Sequence, residues 1–173
     1  MRNFWTGMIV FCVILISLWV QLNVFNTIAL FGVKANIGII LVVALSTLCG
    51  QGVGIAIGIT YGVLSDILFG KAFGIYTLLF FLIGFFCGKM SNGFSKENKA
   101  TLVMITTTTT VIFEVLSYFI LVVVYEYEVE VLSIIKIVVL EAIYNVLLSG
   151  LCFKVFSNLA EIINKGKRSY YLL

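Results

Sequence analysis

Histidine and proline are missing from this sequence altogether, and charge is scarce: eight acidic and eleven basic residues among 173. The lack of histidine removes the commonest metal ligand. Cys12, Cys49, Cys87 and Cys152 each stand alone in an apolar segment without a CxxC pair, so neither a metal centre nor a disulfide framework is expected. They read as small buried hydrophobes. The net charge of +3 is scattered near the ends of apolar segments. Nucleic-acid binding needs a dense basic field, and none is present. There is no HExxH, no GxSxG, no P-loop and no pair of carboxylates around an obvious nucleophile, so an enzyme is not expected. No cofactor is implied.

What the chain has in abundance is apolar length. Hydrophobic residues make up 62% of it and mean hydropathy is +1.18, beyond the range of soluble domains. Between Lys34 and Asp66 no residue is charged. Such a run belongs in lipid. The stretch from Trp5 to Val24 is long enough to span and lacks a small-x-small cleavage site, so it reads as a first helix rather than a signal peptide. The pattern predicts an all-α integral membrane bundle forming one domain over 1–173, with helices near 5–24, 36–49, 53–69, 73–90, 101–125 and 132–154. A polar tail from Asn164 to Tyr171 follows. Residues 35–65 as one helix would reach about 46 Å, too long for a bilayer, and Gly50, Gly52 and Gly54 supply flexible backbone for a tight turn.

Six spans sort the basic residues consistently with the excess of Lys and Arg found in cytoplasmic loops. Arg2, the Lys89, Lys96 and Lys99 loop, and Lys165, Lys167 and Arg168 fall on the cytoplasmic side. Lys34, Lys71 and the acidic segment Tyr125 to Glu130 fall outside. Both termini are therefore expected in the cytoplasm.

Glycines at 50, 54, 58 and 62 recur every fourth residue and stay on one stripe of a helix, where backbones can approach closely. Packing within the chain is favoured over a dimer interface, because five other helices are available. Gly84 and Gly88 repeat the spacing. Asp66 continues the stripe, followed by Gly70 and Gly74. Its carboxylate must face the bundle interior, water or a partner, with Lys71 or Lys34 as candidate counter-ions, or else reach the interface from a helix end. Glu114 and Glu141 lie deeper and should face inward. Both a proton relay or ligand site and a hydrogen-bonded packing role fit them, the latter being favoured. Tyr144 and Asn145 sit one turn further along, Asn145 suited to bond across helices. The threonines from 106 to 110 can bond to the carbonyls of their own preceding turn and are assigned no chemistry. Trp5, Tyr125, Tyr127, Tyr170 and Tyr171 are placed as interfacial anchors.

The segment Gly58 to Met90 resembles the MreD family of bacterial rod-shape membrane proteins. The resemblance rests on Gly62-x-x-x-Asp66, on Gly70 and Gly74, on Gly88-Lys89 at the exit of the following helix, and on Ala142-Ile143-Tyr144-Asn145-Val146-Leu147. Length and helix count fit across essentially the whole chain. The family's prolines are replaced here, with Asn36 and Glu141 near those places, so proline kinks do not carry over. The resemblance implies a non-enzymatic scaffold in the bacterial plasma membrane, associated with MreC, the actin-like MreB and the peptidoglycan synthases. Helix packing along the glycine stripe and Asp66 would then provide the recognition surface. The alternative is a substrate-binding subunit of a vitamin-type transporter, since the family is similar in helix count to the energy-coupling-factor transporter components. In that case Glu114, Glu141 and Asn145 would line a ligand site.

Overall fold

The computed structural model describes residues 2–27, 32–69, 74–92, 99–125 and 130–168. Among these residues the α-helices are six: α1 Arg2–Thr27, α2 Ile37–Cys49, α3 Gln51–Phe69, α4 Ile75–Lys89, α5 Lys99–Tyr125 and α6 Val131–Arg168. A single 3-10 turn, Met90–Asn92, follows α4. The chain is thus the all-α membrane bundle its composition predicts.

Four of these helices, α1, α3, α5 and α6, are long and apolar enough to cross a bilayer, whereas α2 and α4 are shorter. The 13 residues of α2 rise about 20 Å, roughly 10 Å less than a hydrocarbon core. This short helix is the centre of the molecule. Ile39, Ile40, Leu41, Val42, Val43, Ala44 and Leu45 are fully buried, so α2 is covered on every side. A helix apolar all round is stable only when so enclosed.

Between α2 and α3 the turn is a single residue. Gly50 has φ 90° and ψ 173°, a conformation open to glycine alone, and its N–H still bonds to the Ser46 carbonyl at 2.9 Å. The break therefore falls at Gly50 itself, and α3 begins at Gln51 rather than 53.

The last helix differs from expectation. It does not end near 154 but continues to Arg168, so the tail from Asn164 is helical as far as that residue. Lys136 and Lys154, both exposed, lie about 27 Å apart along α6 and bracket one hydrocarbon thickness. Beyond Lys154, Phe156, Leu159, Ala160 and Ile163 are buried at the 3–4 residue spacing of an amphipathic face. That face packs on the carboxyl end of α2, where Asn164 donates to the Leu48 carbonyl at 3.2 Å. The opposite face carries the exposed Glu161–Lys165 ion pair at 3.6 Å.

A polar cavity at the amino end of the buried helix

The glycine stripe and Asp66 lie in the seam between α3 and α4. A Cβ added at Gly54, Gly58, Gly62, Gly84 or Gly88 would come closer than 3.0 Å to backbone of the other helix: Gly84 for Gly54, Phe80 for Gly58, Thr77 and Tyr76 for Gly62. The two backbones touch along their length, which is what a four-residue glycine repeat permits.

Asp66 completes the same seam. It is 4% exposed, and its Oδ1 accepts the Tyr76 N–H while Oδ2 accepts the Thr77 N–H, both at 2.9 Å, and the Thr77 hydroxyl. The cap residue of α4, Gly74, has φ 104° and no side chain to offer, so Asp66 caps α4 from the neighbouring helix. A carboxylate at a helix amino end satisfies orphan N–H groups and opposes the positive end of the dipole. The recognition surface expected at the stripe and Asp66 is thus not open to a partner: α4 of the same chain covers it. Gly70 and Lys71 lie outside the described residues.

At the same end of the bundle, around the amino end of α2, the structure gathers residues that the sequence leaves far apart. Asn36 caps α2, its side chain accepting the Ile39 N–H at 3.3 Å. Its own N–H donates to Asn145 Oδ1 at 2.8 Å, and Asn145 Nδ2 donates to Thr110 Oγ1 at 3.0 Å. Asn145, wholly buried, therefore joins α2, α5 and α6. From α1, Gln21 accepts the Ile37 N–H and donates to the Ala35 carbonyl, both at 3.0 Å. Thr106, Thr107 and Thr110 each bond to the carbonyl four residues back. Tyr144 is half-buried beside Asn145.

Above this floor lies a cavity of about 470 Å³. Glu114 of α5 and Glu141 of α6, 8% and 7% exposed, face it side by side, their carboxyls within interaction range of each other. Glu141 Oε1 is buried without a hydrogen-bond partner, and so is Ser117 Oγ. Tyr76 and Phe113, stacked with centroids 6.2 Å apart, form part of the wall, with Phe69, Leu121 and Ile137 as further apolar lining. Sequence reasoning placed the two glutamates inward and, in the transporter alternative, on one ligand site with Asn145, but it missed Gln21, Ser117 and Tyr76. An amide within an apolar span and an Asn directly before an apolar run were the available signals for Gln21 and the Asn36 cap.

The family profile of rod shape-determining protein MreD matches residues 1–162. The chain belongs to the MreD family. Its role thus lies in rod-shape determination, as a multi-pass membrane protein of the rod-shape complex. Comparison with the curated proteins and with the solved structures gives no significant match. The Gly62-x-x-x-Asp66 spacing has a physical meaning in this chain: glycine admits α4, and the aspartate one turn later caps it.

Proposed function

We propose that this MreD-family chain is a non-enzymatic scaffold of the bacterial cell-elongation complex. It links MreC, MreB and the peptidoglycan synthases by helix packing within the plasma membrane, with both termini in the cytoplasm. The observation that carries this reading is the division of the bundle into a closed interior and bare outer helices. In α1 and α6 only 17% of the spanning window is buried. Trp5, Ile16 and Trp19 on α1, and Ile143, Leu147 and Leu151 on α6, are exposed. Gly150 has open space where a side chain would stand, so another helix can approach α6 closely there.

Affinity purification from gently solubilised membranes, followed by mass spectrometry, tests the reading. Recovery of MreC or a synthase, reduced by Gly150→Trp or Leu147→Trp with the bundle still folded, is the expected result. Recovery of ATPase and coupling subunits in their place would overturn it in favour of a transporter subunit.

A further inference from the structure

The cavity above α2 has a chemistry that helix packing does not use. A carboxyl oxygen buried in a membrane bundle without a partner leaves a large desolvation cost uncompensated, and Glu141 Oε1 is such an atom. The carboxyl of Glu114 stands beside it, so acceptors crowd this part of the wall. Three donors at the amino end of α2 are already engaged: the N–H groups of Asn36, Ile37 and Ile39 bond to Asn145, Gln21 and the Asn36 side chain. An anion would therefore find carboxyls where it needs donors. Among the described lining residues the cation is Lys34, on the exposed rim. About 470 Å³ is room for a small organic molecule, and the Tyr76–Phe113 pair offers a flat apolar wall.

We propose that this cavity binds an organic cation, a primary ammonium carried on an apolar body. The ammonium sits beside the Glu114 and Glu141 carboxyls and donates to them, and the apolar body lies against Tyr76, Phe113 and Ile137. Charge pairing there is strengthened because both carboxyls are buried, and the aromatic rings pack against the apolar body. Two sources carry this chemistry, a soluble aromatic amine and the ethanolamine headgroup of a phospholipid.

The test uses the full chain in phosphatidylglycerol nanodiscs, with tryptamine as the probe and thermal unfolding as the readout. Tryptamine should raise Tm in a concentration-dependent way, while its neutral analogue tryptophol and the anion indole-3-acetate should not. Glu141→Gln and Glu114→Gln keep the volume and remove the group that can ionise against the ammonium, and each should weaken tryptamine binding about tenfold or more. Ile137→Trp leaves both carboxyls in place and fills the cavity, so it should abolish binding even if a glutamate variant fails to fold. Loss of the tryptamine response in discs containing phosphatidylethanolamine assigns the site to the lipid headgroup, and an unchanged response assigns it to a soluble amine. No response in wild type, an equal response to tryptophol, or undiminished binding by the Glu114→Gln/Glu141→Gln double variant would overturn the proposal.

Discussion

The bundle buries carboxyl groups in two ways, and the contrast between the α3–α4 seam and the cavity that adjoins it at Tyr76 separates structural groups from functional ones. In the α3–α4 seam every polar atom of Asp66 meets a donor and the glycines leave no space. Around the amino end of α2, Glu141 keeps an oxygen unpartnered beside a cavity. A satisfied buried charge fixes a fold. An unsatisfied one costs stability, and such a group persists where it has other work to do.

The contrast can be broken first at the seam, where the effect should be largest. Gly58→Leu drives a side chain into the Phe80 backbone and should separate α3 from α4, lowering unfolding stability by about 3 kcal/mol in a denaturant titration. Asp66→Ala strips two N–H groups and a hydroxyl of their acceptor and should cost about 2 kcal/mol, with amide exchange at Tyr76 and Thr77 accelerating as α4 frays. Asn145→Ala, at the junction of α2, α5 and α6, should cost about 1 kcal/mol, since hydrogen bonds between membrane helices are individually modest.

Periodicity and composition reach the fold through features that are local in sequence. The four-residue glycine repeat announces close packing because each step along a helix returns near the same face, and Gly50 announces a break because a longer helix would overshoot the bilayer. What covers the stripe is not local. Asp66 reaches its partners on α4 only once the hairpin closes, ten and eleven residues on. Glu114 and Glu141 lie on different helices, and nothing in either helix's own pattern reports the rotation that turns them toward one another. The end of α6 was misplaced for a different reason. Hydropathy falls after Lys154, yet Phe156, Leu159, Ala160 and Ile163 keep helical spacing, and that amphipathic period extends the helix past the lipid boundary.

The most direct measurement compares Asp66→Asn with Glu141→Gln in the same bilayer mimic, reading unfolding free energy from denaturant titration. Each exchange turns a carboxyl into an amide at nearly constant volume. The account predicts a loss of about 2 kcal/mol for Asp66→Asn, whose new NH2 group confronts the α4 N–H donors, and no loss, or a gain, for Glu141→Gln. A loss at Glu141 equal to or greater than that at Asp66 would contradict the division of the bundle into a structural seam and a functional cavity.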